Sequence, residues 1–457
     1  MTGLIEGRAL WCSLGDLREY PKGVQDIDRL IDWCNRVHVN ILLPNVFGGS
    51  LAFYTGSRLV PTHRTFEGWD ALKLLVERAH ENDMEVHPWI VVANQGSLLL
   101  PAQKGKLYSE GIEPLQVRHP DWFCTDRYGF PMTQLPFFGN SYDIDLGKSE
   151  VRRFVADVAR EIVKIYPEVD GIHLDYIRFR YWNSKLTLGM EGAEDLSRPI
   201  QVGDWIWVTR KWRGDQTLND LVLAYQVTQI EKEEKEPYKK TAATLEREHT
   251  YCYCDCCLQA FQADENLAIP SHLKTTQERA DWIHKEHMDK WVKWRAEQVT
   301  KQVREIREVL READPKKMLS AAVFQNVEEA IQTVGQDWTS WVKEGLLDFV
   351  NPMVYWVPPE TVRQRTADYL KRIDGRCPVY PGVLTSTDFN VPVENVGKYV
   401  QGIREAGGHG ITLFCYATWS NEHRRERGHE TIQDYDEALK EVFKEKAERP
   451  HSSRRMP

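Results

Sequence analysis

DGIHLDYIRF, residues 170–179, is the stretch on which the reading of this chain turns. In an extended strand alternate side chains point to opposite faces, so Ile172, Leu174 and Tyr176 share one side while His173, Asp175 and Ile177 share the other. The apolar trio suits a covering layer of helices. That leaves His173 and Asp175 facing a closed interior, with Asp175 near the carboxyl end of the strand. Seven other runs have the same apolar character: Arg8–Leu14, Val39–Val46, Glu85–Val92, Met318–Phe324, Phe349–Trp356, Val379–Val383 and Ile411–Ala417. Segments of helical periodicity separate them, among them Val24–Val37, Trp69–Glu81, Ser149–Tyr166, Pro359–Ile373 and Val393–Ala406. Strands too apolar for a wet face, alternating with helices, indicate a parallel sheet covered by helices, and eight such units predict a (β/α)8 TIM barrel.

Two intervals break the rhythm. Residues 93–148 form a connection too long for an ordinary βα loop, and it leaves from the carboxyl face of the barrel. Residues 183–250 contain Val202–Thr209 and Leu221–Ile230, which alternate like antiparallel strands and predict a small β-rich insertion after the fourth strand. Thr276–Ala313 reads as one long outer helix whose Trp282, Trp291 and Trp294 pack rather than bind. One barrel domain therefore spans 1–448, and the tail 449–457 is expected to be frayed.

Composition narrows the function. The chain has 457 residues, 42% hydrophobic, which is ample for a large core, and no apolar run approaches a membrane span. Its formal charge is −9 with the basic residues scattered, so the electrostatic footprint of a nucleic-acid binder is missing. Trp and Tyr number 16 and 18 against 15 Phe, an excess of amphipathic rings suited to stacking on faces such as those of sugars. The start MTGLIEGRALWCS has no cationic segment followed by an apolar run. The sequence as written thus predicts a cytoplasmic chain, or an exported one whose leader has been removed.

DGIHLDYIRF, the helix SEVRRFVADVAREIVKIY before it, the third strand EVHPWIVV and the sixth strand DFVNPMVYW together resemble the glycosyl-hydrolase-like family 10, TIM-barrel glycosidases. The resemblance runs in order from about residue 7 to residue 420, outside the insertion. It implies a bacterial hydrolase of O-glycosidic bonds in a polysaccharide or peptidoglycan-type glycan, with carbohydrate as its partner and no cofactor required. A more distant similarity to family-18 chitinases rests on Asp170, Gly171, Asp175, Met353 and Tyr355. The acid of those enzymes would fall at Ile177, so their mechanism does not carry over. The alternative is a carbohydrate-binding barrel that has lost its acid.

Asp175 is the expected catalytic carboxyl, with a structural reading beside it in which it satisfies a neighbouring arginine. Asp170, at the other end of the strand, reads as a tether. Glycoside hydrolysis needs a second carboxyl, for which Asp388 ranks first, ahead of Glu422, Asp143 and Asp145. The expected sugar lining is Asn45, His87, Trp89, His173, Arg178, Gln325, Asn351, Tyr355, Trp356, Trp419 and Glu422, with Tyr416 beside them; His87 has a second reading as a core histidine, and Arg178 as a salt-bridge partner. Cys252, Cys254 and Cys257 have the spacing to grip one tetrahedral Zn²⁺, with Cys124 as the expected fourth ligand; the other reading is a cluster of free, partly buried thiols. Cys256 is the spare.

Overall fold

The computed structural model describes residues 4–14, 23–96, 100, 104–109, 111–125, 129, 132, 142–179, 252–385, 391–416 and 433–451, and the backbone of four strands between 181 and 250. Eight parallel strands close on themselves. In chain order they are Gly7–Ser13, Ile41–Gly48, a third in two pieces (Glu85–Val86 and Trp89–Val91), Gly171–Asp175, Met318–Phe324, Phe349–Met353, Gly382–Leu384 and Gly410–Phe414. The first pairs with the second, Ala9 opposite Ile41, and with the eighth, Gly7 opposite Gly410, which completes the cylinder. All eight strands anticipated from the sequence are present. The third is split because Pro88 has no N–H to give to the ladder.

Side chains alternate between two cores. Inside the barrel Ala9, Trp11, Ile41, Leu43, Ala322, Phe349 and Tyr380 form one buried cluster. Outside it, Leu10, Leu42, Val86, Ile172, Leu174 and Ile411 pack against the helices in a larger one. Strand and helix patterns meet in this outer layer: helix Ser149–Ile165 buries Val151, Phe154, Val155, Val158 and Ile162, a stripe at three- and four-residue spacing. Glycine is needed where a strand passes the large interior ring: a Cβ on Gly382 would lie 2.6 Å from the Trp11 indole.

Three expectations need adjustment. Thr276–Ala313 is two helices, Thr276–Glu286 and Met288–Ala313, because His287 leaves helical geometry at φ −141°. The first carries its own start signal, a capping box between Thr275 and Glu278. Trp291 and Trp294 do pack, buried and stacked at 5.1 Å. The insertion is a four-stranded antiparallel sheet, in the order Leu221–Gln226, Trp205–Arg210, Tyr181–Met190, Ala243–Thr250, so the sequence showed only its two central-to-edge strands. The tail is docked where it is described. Arg449 pairs with Asp170 at 3.2 Å, and His451, 5% exposed, binds Glu85 beneath the barrel.

Candidate active site at the barrel mouth

Asp175 closes the fourth strand and is 7% exposed. Its Oδ1 accepts from the Tyr176 N–H at 2.6 Å and lies 3.5 Å from Nη1 of Arg178. Burial pushes the carboxyl above its ordinary pKa, and Arg178 and the Tyr176 N–H only partly offset this. Arg178 is itself fixed, its guanidinium stacked 4.2 Å from the Tyr176 ring and 4.7 Å from that of Phe324. The arginine partner of the structural reading is thus present, and the same carboxyl stands buried at the end of a barrel strand.

Strand alternation fails one residue later. Tyr176 has φ 49°, in the left-handed region, which turns its ring to solvent at 37% exposure. Ile177 consequently swings into the outer core, fully buried, instead of sharing the interior face with Asp175. The sixth strand ends in the same way: Trp356 has φ 52° and is 72% exposed. Tyr355, between strand and Trp356, packs edge-on against Trp11 at 6.5 Å and within electrostatic reach of Asp175. Burial, with Asp175 second, pushes the Tyr355 phenol well above its usual pKa.

Trp89 belongs to the same rim, half-buried against the interior cluster. Its indole N–H is buried and has no hydrogen-bond partner among the described residues. Asn45 lies beside it, its amide donating to the Trp89 and Phe47 carbonyls at 3.3 Å each. Phe324 and Met353 complete this half-exposed collar. The arrangement offers stacking faces, a buried carboxyl whose proton affinity is raised, and an unmet donor, the components of a site for a neutral polyhydroxylated ligand.

Other expected lining residues sit elsewhere. His173 does face the interior, but below the mouth and fully buried: Trp11 Nε1 donates to its Nε2 at 3.0 Å and its Nδ1 meets Ser320 Oγ at 2.9 Å. Burial holds it well below the usual histidine pKa, so it is neutral, with both ring nitrogens occupied by protein. Asn351 is buried in the same interior and donates to Thr412 Oγ1 at 2.6 Å. His87 lies at the opposite end, 3.2 Å from Glu85 and packed on Phe349, and the core reading holds for it. Gln325 is turned outward, since Phe324 takes the inward position; its side chain binds Arg365 on helix Pro359–Arg372. Tyr416, two residues beyond the end of the eighth strand, packs on Trp33 of the first helix instead of following Phe414 inward. Asp388, Trp419 and Glu422 lie outside the described residues.

Asp170 is the tether expected, bound to His80, Arg449 and the Val86 N–H. Of the third-loop carboxylates, Asp143 accepts from Asn94 at 3.2 Å, and Asp145 is committed to sulfur. Its oxygens lie 3.0 Å from Cys254 Sγ and 3.1 Å from Cys257 Sγ, and these atoms with Cys252 Sγ all fall within 4.8 Å of one another. Cys124 is not in that set; its thiol points to the Ile144 carbonyl at 3.6 Å. Cys256 is exposed and lies outside that set. Tyr176 and Asp145 are the positions sequence reasoning misplaced: one depends on a backbone reversal with no residue signature, the other comes from a different loop.

Comparison with known proteins adds a family. The Glycosyl hydrolase-like 10 model matches residues 6–244 and 256–380. The chain is 26% identical over 114 residues to glycosyl hydrolase DigH of Escherichia coli K12, covering 24% of this chain and 22% of that protein. It is 24% identical over 194 residues to glycosyl hydrolase YngK of Bacillus subtilis, covering 38% and 34%. These matches span about a quarter to a third of the relatives' own length. Among solved structures, a β-galactosidase from Marinomonas ef1 superposes with a TM-score of 0.53 at 12% identity, covering 95% of this chain and 59% of that one. The catalytic domain of β-amylase from Paenibacillus polymyxa does so with 0.52 at 11%, covering 96% and 98%. Those two likenesses are of fold.

Proposed function

Because the chain belongs to the Glycosyl hydrolase-like 10 family, we propose that the barrel mouth cleaves O-glycosidic bonds in a polysaccharide or peptidoglycan-type glycan, with Asp175 as the catalytic carboxyl. One observation carries this reading: a buried carboxyl whose proton affinity is raised by burial stands at the carboxyl end of the fourth strand, beside the exposed ring of Tyr176. A carboxyl whose pKa is raised is better suited than an ordinary one to donate a proton to the leaving glycosidic oxygen. Arg178, 3.5 Å from Oδ1, helps to hold the carboxyl in place. Tyr176, Trp356 and Trp89 supply faces and a donor that hold the sugar rings over it.

The second carboxyl supports the positive charge that develops at the anomeric carbon, or activates water on the opposite side of the ring. Asp388, after the seventh strand, is our choice for it, ahead of Glu422 after the eighth. Its separation from Asp175 decides the stereochemistry: about 5 Å gives retention through a glycosyl intermediate, and 6.5 to 9.5 Å gives inversion. The reading is tested by incubating the protein with a panel of polysaccharides and peptidoglycan glycan strands and analysing products by mass spectrometry. Shortened chains with new reducing ends are the expected result. Binding without any product would assign the barrel to sugar recognition instead.

A further inference from the structure

We propose that Asp145, Cys252, Cys254 and Cys257 hold one structural Zn²⁺, with the carboxylate of Asp145 as the fourth ligand in place of Cys124. The four ligand atoms lie within 4.8 Å of one another. Bonds of about 2.3 Å to sulfur and 2.0 to 2.2 Å to oxygen make the edges of a zinc tetrahedron roughly 3.5 to 3.8 Å, so the cluster needs only small rotations to close on an ion. Three thiolates and one carboxylate favour zinc over the hard cations magnesium and calcium. Four protein ligands leave no open position, and the ion would therefore be structural.

The surroundings are built for thiolates. Cys254 caps helix Asp255–Glu265 and Cys257 lies in its first turn, where the unpaired N–H groups favour negative charge. The Thr125 N–H donates to Cys252 Sγ at 3.0 Å and the Cys257 N–H to Cys254 Sγ at 3.4 Å. On the other side, the Gly147 N–H donates to Asp145 Oδ1 at 2.9 Å. A side chain at position 147 would not fit, because its Cβ would stand 2.3 Å from Cys257 Sγ.

Charge gives an independent argument. Arg295 is 1% exposed, its guanidinium bound to the Thr333 carbonyl and stacked on Phe179, and its Nε has no hydrogen-bond partner among the described residues. It lies within electrostatic reach of Tyr253 and Cys124 first and then of Cys252 and Cys257, and Lys148 within reach of Asp145, Cys254 and Cys252. Zinc with three thiolates and a carboxylate carries two net negative charges, which these two cations balance.

Asp145 ends the loop after the third strand, and the cysteines end the insertion after the fourth. One ion would therefore tie together the two loops that flank the strand of Asp175, next to the backbone bond from Tyr253 to the Thr125 carbonyl at 2.9 Å. The proposal does not depend on what the mouth cleaves. Metal analysis of the full chain, equilibrated with Zn²⁺ and then dialysed against metal-free buffer, should give one zinc per chain. Cys124→Ser should keep that stoichiometry, while Cys257→Ser should fall below about one-tenth. Should Cys257→Ser fail to fold, Co²⁺ substitution of the unaltered protein decides: intense sulfur-to-metal charge-transfer absorption of a three-thiolate site is expected, rising in Asp145→Cys. Less than one-tenth of a zinc in the unaltered chain, or loss of zinc in Cys124→Ser with retention in Asp145→Ala, would overturn it.

Discussion

A tyrosine in the left-handed region, as at position 176, costs on the order of 1 to 2 kcal/mol, and it persists only where the surroundings fix it. Here the fixing groups are the N–H bond to Asp175 and the arginine stacked on the ring. The reversal takes Ile177 out of the interior and puts an aromatic face at the mouth, which is why simple alternation, correct through Asp175, fails at the next position. Trp356 repeats the pattern on the sixth strand. Being 72% exposed, its ring adds little to folding, so Trp356→Ala should change unfolding free energy by less than about 0.5 kcal/mol. Loss of a stacking face worth about 1 kcal/mol should weaken oligosaccharide affinity roughly fivefold, read by calorimetry. Unchanged affinity would place the ring outside the binding surface. The raised pKa of Asp175 gives a second test at this scale. A carboxyl that prefers its proton in the folded state stabilises most below the unfolded pKa near 3.8 and loses that contribution as pH rises through the folded value. The melting temperature of Asp175→Asn minus that of the parent should therefore climb with pH from about 4 upward. A flat difference would mean that burial does not perturb this carboxyl.

Among the elements, the third strand is the most divided in purpose. Its upper piece brings Trp89 to the rim; its lower piece sets Glu85 and His87 into the floor, where the tail returns to meet them. Burial alone would push Glu85 up, but hydrogen bonds from His451 at 2.7 Å and His87 at 3.2 Å outweigh it and hold the carboxyl well below its usual range. The strand's alternation was readable, including the inward face shared by Glu85, His87 and Trp89. Which end of the strand faces a ligand was not, because composition does not distinguish a floor histidine from a mouth histidine. Nor could the docking of Arg449 and His451 be read: a short polar tail looks frayed until a buried carboxylate is known to await it. His451→Ala should cost about 3 kcal/mol in urea unfolding, since it strips a partner from a fully buried charge. Turnover by the folded fraction should stay intact, because the floor lies at the opposite end of the barrel from Asp175. A loss below about 0.5 kcal/mol would show that the tail only rests on the floor.

At the scale of the whole molecule, the barrel was legible because eight apolar runs and their intervening helices repeat one physical unit, and each unit buries the same two faces. Long-range convergence was not legible. Cys254 and Asp145 are 109 residues apart, and nothing in either loop's sequence points to the other. The same holds for the partner of Asp175, for which Asp388 stands on strand order alone. No helix among the described residues is long and apolar enough to cross a membrane. Catalysis at the mouth, as proposed, requires Asp175 to act chemically on a bound sugar. The most direct measurement is glycan turnover by Asp175→Asn beside the parent protein, with calorimetric binding of the same oligosaccharide to both. The amide keeps the volume of the carboxyl but cannot deliver its proton, so cleavage should fall by at least about two orders of magnitude while affinity stays within a few-fold. Undiminished cleavage by a folded Asp175→Asn protein would contradict the account.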